Sequence, residues 1–199
     1  MKWTVSLFAA LLALLLTPSV SAVFEEEVDY MQLMISAAVD GDVVAGRLAE
    51  DRRCEKIESS GGEYEHLDFD ELYLLAKVIE AEAGSFWLSD EWRMCVGEVV
   101  LNRVASPEFP DTVEEVVFQR GQYYSRDNAF FNTLLPSERS VDAAVRLLCG
   151  ERVLCEESVV FQSNYILGSG IFLELEDEQL GTTYLCYSYY PEVYDSYED

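Results

Sequence analysis

Helix-start signals come first along this chain and β-type runs come last, and that order limits the folds open to it. Asp68 with Glu71 three residues on makes a capping box. Leu72, Leu75, Val78 and Ile79 follow at helical spacing, with Gly84 as the expected C-cap. A second helix starts after Ser89, carries Asp90 and Glu91 in its positive-end turn, and runs to about Val104. Pro107 and Pro110 punctuate the next loop. Thr112 and Glu115 form another capping box, for a short helix ending near Phe118, and Ser137 to Cys149 predicts a further helix stopped by Gly150. Only then do Ser158–Gln162 and Thr182–Tyr187 read as short strands. Helices followed by a small sheet predict an α+β fold, mostly helical, with a small antiparallel sheet near the C-terminus.

The flanks read differently. Lys2, the apolar run from Trp3 to Leu16 and the small residues Ser19 to Ala22 describe a secretory signal peptide over 1–22. The run is short for a membrane span, and no other stretch could make one, so the expected product is a secreted protein that leaves the membrane after signal cleavage, with an uncleaved N-terminal anchor as the alternative. Residues 23–66 read as a helical N-terminal segment and linker. Val28, Met31, Ile35 and Ala38 lie at helical spacing, Gly41 and Gly46 favour two helices over one, and Ser59–Gly62 is the linker signal. Residues 67–188 are the expected main globular domain, and 189–199 an acidic, Tyr-rich and poorly ordered tail.

Charge and residue counts exclude several functions. The chain has 199 residues, with 38 Asp+Glu against 13 Lys+Arg, a net charge of −25. Such a surface does not suit phosphate backbones or anionic lipid. With one histidine, His66, and no Cys-x-x-Cys, a catalytic zinc site or a Ser-His-Asp triad lacks its parts, so no metal or cofactor is expected. The five cysteines are an odd number; Cys149 and Cys155 bracket a turn and could bridge, and Cys95 reads as a buried thiol.

One carboxylate sits out of place. At 100° per residue, Glu82 falls about 20° from Leu75 and about 40–60° from Val78 and Ile79, on the apolar stripe. A carboxyl there is costly unless bonded or protonated, and a retained proton is what a general acid needs near neutral pH. Glu80 faces the other side, with Lys77 as its expected partner. On the second helix Asn102 falls about 20° from Cys95, which leaves it either a buried hydrogen-bonder or a substrate contact. Glu98, one turn earlier, is either a second acid or a solvated helix residue.

At these residues the sequence resembles a known family. Leu74-Leu75-Ala76-Lys77-Val78-Ile79-Glu80-Ala81-Glu82-Ala83-Gly84, Val96-Gly97-Glu98-Val99-Val100-Leu101-Asn102-Arg103-Val104 and Ser106-Pro107-Glu108-Phe109-Pro110-Asp111-Thr112 resemble cell wall hydrolases of the spore cortex-lytic SleB/CwlJ type. The likeness continues through Phe118-Gln119-Arg120-Gly121-Gln122-Tyr123, Val159–Gln162 and Gly181–Ser188. It implies a small lysozyme-like or lytic-transglycosylase-like domain acting on peptidoglycan glycan strands, with Glu82 as the catalytic acid. The chain departs from the family's Arg-Gly-Glu after this motif, having Gly84-Ser85-Phe86-Trp87-Leu88-Ser89 there.

No second carboxylate is as oddly placed as Glu82. A hydrolysing glycosidase normally needs two, whereas a lytic transglycosylase uses the sugar's own hydroxyl as nucleophile and can manage with one. Transglycosylation is the first expectation. Amidase action on the peptide stem, or a non-catalytic wall or spore-coat role, is the alternative. The expected substrate contacts are Asn102, Gln122, Tyr123, Phe161 and Gln162, with Trp87, Phe109 and Tyr124 as further candidates, because glycan clefts combine aromatic faces with amides.

Overall fold

A computed structural model describes residues 28–61 and 67–194; the expected signal peptide, His66 and residues 195–199 lie outside them. The chain begins with a helical hairpin, α1 (Tyr30–Asp40) and α2 (Val43–Ser60), each capped by an aspartate: Asp29 accepts from the Gln32 N–H and Asp42 from the Ala45 N–H. The break falls at Gly41, whose φ of 71° reverses the chain in the left-handed region. Gly46 breaks nothing. It lies inside α2, where a Cβ would meet the Phe69 ring at 2.1 Å. The buried face of α1 is Met34, Ala37 and Ala38, shifted from the expected stripe, and Val28 is exposed. These residues and Ala49 share one core with Leu72, Leu75 and Val96, so the hairpin is packed into the helical layer. Arg47 binds Asp70 and Glu50 accepts from the Phe69 N–H, tying α2 to the start of the next helix.

That layer is built from α3 (Phe69–Ala83), α4 (Asp90–Ala105) and α7 (Glu138–Leu148), with the short α5 (Val113–Val117) and α6 (Ala129–Thr133) at its side. Asp68, Ser89 and Thr112 cap their helices as expected, accepting from the N–H groups of Glu71, Trp92 and Glu115. α6 is unanticipated. It is one turn long, too short to show a period, and is started by Asn128 accepting from the Phe131 N–H. The three main helices meet at Gly97: a Cβ there would lie 2.4 Å from Leu147 Cδ1 and 2.8 Å from Ile79 Cδ1.

The sheet has three antiparallel strands, β1 (Val159–Ser163), β2 (Ile171–Asp177) and β3 (Gly181–Tyr187), in the order β1-β3-β2. Leu185 of the central β3 pairs with Gln162 on one side and Leu173 on the other. The β2–β3 turn is closed by Asp177, which accepts from the N–H groups of Gln179 and Leu180. β2 is an addition to the two expected strands. Its Leu173/Leu175 alternation is strand-like, but its glutamates and aspartate are poor strand formers.

Helix α4 fastens this sheet. Glu98, 1% exposed, accepts from the N–H groups of Val153, Leu154 and Cys155 at 2.6, 2.9 and 3.1 Å. It is thus neither a second acid nor a solvated residue: both oxygens are bound to backbone, which compensates the burial of its charge. Asn102 Nδ2 donates to the carbonyls of Glu156 and Val159, both at 3.0 Å. The first part of the expected tail is anchored. A 3₁₀ turn over Pro191–Val193 brings the Tyr194 hydroxyl to Ser106 and Glu108, and Ser188 also donates to Glu108. All five cysteines are free thiols, including Cys149 and Cys155, and burial pushes the Cys95 thiol up to about 12. Among the described residues no helix is long and apolar enough to cross a membrane.

The junction at Gly97 generates a test. Gly97→Ala should cost about 1–3 kcal/mol despite alanine's better helix propensity, because Leu147 and Ile79 must both move. Urea unfolding should show a lower midpoint at unchanged slope.

Candidate active site

The last turn of α3 carries two glutamates with different surroundings. Glu80 Oε2 accepts from the Ser137 N–H at 3.0 Å and from the hydroxyls of Ser137 and Ser140, both at 2.6 Å. It therefore caps the N-terminus of α7 from a neighbouring helix, where the helix dipole also favours a negative charge. Burial works to raise its pKa, but the bonds from Ser137 and Ser140 and the charge of Arg93 outweigh it and hold the carboxyl below its ordinary value. Lys77 is not its partner. The Lys77 ammonium lies over the Tyr73 and Phe131 rings and donates to the Asn132 carbonyl. Gly84 ends α3 with a right-handed φ of −70°. Glycine is required there by space: a Cβ would stand 2.2 Å from the Glu80 carbonyl oxygen.

Glu82 is half-buried, less enclosed than the helical wheel implied. Its Oε1 accepts one hydrogen bond, from the Tyr124 hydroxyl at 2.8 Å. Oε2 has no hydrogen-bond partner among the described residues. Tyr124 is fixed by stacking on the buried Phe131, with centroids 4.3 Å apart and planes 10° from parallel. Its N–H donates to the Val117 carbonyl, which ties the loop to the end of α5. Burial, reinforced by the charge and hydrogen bond of Glu82, raises the Tyr124 pKa, so its hydroxyl is a proton donor throughout the usual range.

The other expected contacts gather around a residue that the sequence reading passed over, Arg103. It is buried in α4; Nε donates to the Val160 carbonyl at 2.6 Å and one terminal nitrogen to Gln122 Oε1 at 3.0 Å. Its guanidinium lies 4.8, 5.1 and 5.8 Å from the centroids of Tyr123, Phe109 and Phe161. One arginine thus sets the positions of Gln122, Tyr123 and Phe161. The Tyr123 hydroxyl is buried without a partner among the described residues, as is Gln162 Oε1. Burial pushes the Tyr123 pKa up, Arg103 pulls it back, and the charge of Glu82 adds to the rise. Asn102 stands apart from this group, with both amide hydrogens on the backbone that holds β1.

The loop between α3 and α4 is held by its carbonyls. Arg93 donates to those of Ser85, Leu88 and Ser89, and Arg139 to those of Phe86 and Leu88 and to the Asp90 carboxylate. Phe86 and Trp87 pack edge to face at 5.1 Å and stay exposed. A cleft of about 720 Å³ lined by Asp68, Asp70, Glu71, Asp111 and Glu114 lies elsewhere and contains none of the expected site residues.

The Glu80 cap has a pH signature. Because its folded pKa is depressed, its contribution is present above the ordinary value of 4.5 and is lost as pH falls through the lower folded value. The melting-temperature gap between wild type and Glu80→Gln should be widest near neutrality and shrink below about pH 4.5. A gap that is constant with pH would contradict this reading.

Residues 89–179 match the family model described as Cell Wall Hydrolase. The match begins just after the α3 turn that carries Glu82. Among solved structures, the chain is similar to the crystal structure of the catalytic domain of the Bacillus cereus SleB protein, at 22% identity and a TM-score of 0.44, covering 63% of this chain and 98% of that one. A search of curated proteins found no match. Residues 89–179 are thus similar in sequence to the cell wall hydrolase family.

Proposed function

We propose that this chain cleaves the glycan strands of peptidoglycan by lytic transglycosylation, with Glu82 as its single acid and base. The observation that carries this reading is how the motif carboxylates are used. Glu98 has both oxygens on backbone N–H groups, Glu80 caps a helix, and Glu82 keeps Oε2 open. With Glu82 the least committed of these three carboxyls, holding one hydrogen bond where Glu80 and Glu98 each hold three, the reaction that fits is one whose nucleophile comes from the substrate. Protonated Glu82 gives its proton to the glycosidic oxygen as the C1–O bond breaks. The 6-hydroxyl oxygen of the same sugar then bonds to C1, and its proton passes to the Glu82 carboxylate. The products are a 1,6-anhydro sugar and a free hydroxyl on the leaving strand, and Glu82 ends protonated as it began.

The sugar contacts in this reading are Tyr123, Phe161, Gln162 and Gln122, whose amide nitrogen is free to donate because Arg103 holds its oxygen. Asn102 serves as scaffold. Export through the 1–22 signal would bring the enzyme to the wall, and N-terminal sequencing of secreted protein beginning at Val23 would test that step.

Glu82→Gln should keep the fold and reduce glycan cleavage by at least about 100-fold, the usual scale of a lost general acid. Mass spectrometry of wild-type digests should show anhydro ends. New reducing ends would mean hydrolysis, and new amino groups would mean amidase action.

The net charge generates a second expectation. A chain at −25 is repelled by walls bearing attached polyanions. Cleavage should rise as salt is raised from very low levels toward about 0.1 M, where the Debye length is about 10 Å. A steady fall over that range would contradict it.

A further inference from the structure

We propose that Tyr124 is a positioning residue for Glu82, and that its hydroxyl selects which carboxyl oxygen carries the catalytic proton. This rests on the reading of Glu82 as the acid.

The Tyr124 hydroxyl donates to Glu82 Oε1. An oxygen that accepts this bond is a poor place for the carboxyl proton, so the proton sits on Oε2, the oxygen with no partner among the described residues. Glu82 is thereby presented as an acid with one reactive edge. When Oε2 gives up its proton, the new charge is shared with Oε1, and the bond from Tyr124 becomes charge-assisted and stronger. The same contact thus favours the carboxylate that must later accept the hydroxyl proton.

The donor is well suited to this. Its ring is stacked on Phe131, whose own edge packs against Phe118, so its place does not depend on Glu82. The Tyr124 N–H to Val117 bond fixes the backbone on the other side. Tyr124 meets Glu82 from this loop, and Arg103 stands behind the neighbouring Tyr123. The two tyrosines are adjacent in sequence but differ in use. Tyr124 spends its hydroxyl on Glu82, while that of Tyr123 is buried without a partner among the described residues.

Tyr124→Phe keeps the stack and removes only the donor. On purified peptidoglycan, kcat should fall about 10- to 100-fold, the value of a hydrogen bond to a charged group, with KM within about twofold. The alkaline limb of the kcat profile should move to higher pH, because the carboxylate loses its donor. Replacing Tyr124 by 3-fluorotyrosine, a stronger donor of nearly the same shape, should move that limb to lower pH and keep kcat nearer to wild type. This analogue also keeps the test open if Tyr124→Phe fails to fold, as judged by its melting curve. Glu82→Gln is measured alongside. If it is inactive while both Tyr124 replacements keep wild-type kcat and pH limbs, the positioning role is overturned and Glu82 stands. If Glu82→Gln remains active, the acid assignment fails, and the role of Tyr124 fails with it.

Discussion

Three consecutive polar reaches from one helix hold this molecule's two layers together. Glu98, Asn102 and Arg103 all leave α4 and all end on the backbone between Val153 and Val160. The contacts are of both signs: Glu98 takes N–H groups, while Asn102 and Arg103 give hydrogen to carbonyls. A segment entering a sheet has unpaired groups of both kinds, and leaving them unpaired in the interior would cost about 1–3 kcal/mol each. The position of β1, and through it Phe161 and Gln162, follows from this strap.

The same strap separates scaffold from chemistry. Polar residues on a core face invite a functional reading, and α4 turns three of them toward this segment. Two bond only to backbone. The third, Arg103, uses its remaining donor and its flat face to collect side chains from two loops and a strand. A guanidinium can bind a carbonyl in its plane and rings above and below, which lysine could not do.

Much of the framework was legible because it is written locally. Asp68, Ser89 and Thr112 act within three residues of themselves, so capping rules find them. The anomalous place of Glu82 was also visible from periodicity, although the turn that bears it is more open than an ideal wheel suggests. What escaped depends on distance along the chain. Tyr124 meets Glu82 across 42 residues and Ser137 meets Glu80 across 57, so no window of sequence contains either pair. The Lys77 pairing failed in part for the same reason: helical spacing offered Glu80, but Phe131 and the Asn132 carbonyl, more than 50 residues away, take the ammonium together with the local Tyr73. Short α6 and acidic β2 fell below the length and composition at which local rules discriminate.

The loop after the Glu82 turn owes its shape to main-chain oxygens, because Arg93 and Arg139 grip carbonyls that any residue would supply. Side-chain identity at position 86, which is 83% exposed, is therefore uncoupled from the conformation of the loop. Such a site can change its chemical character over evolutionary time without a cost in foldability. It is also where grafted side chains could alter the surface of the protein while the Glu82 turn beside it stays as it is.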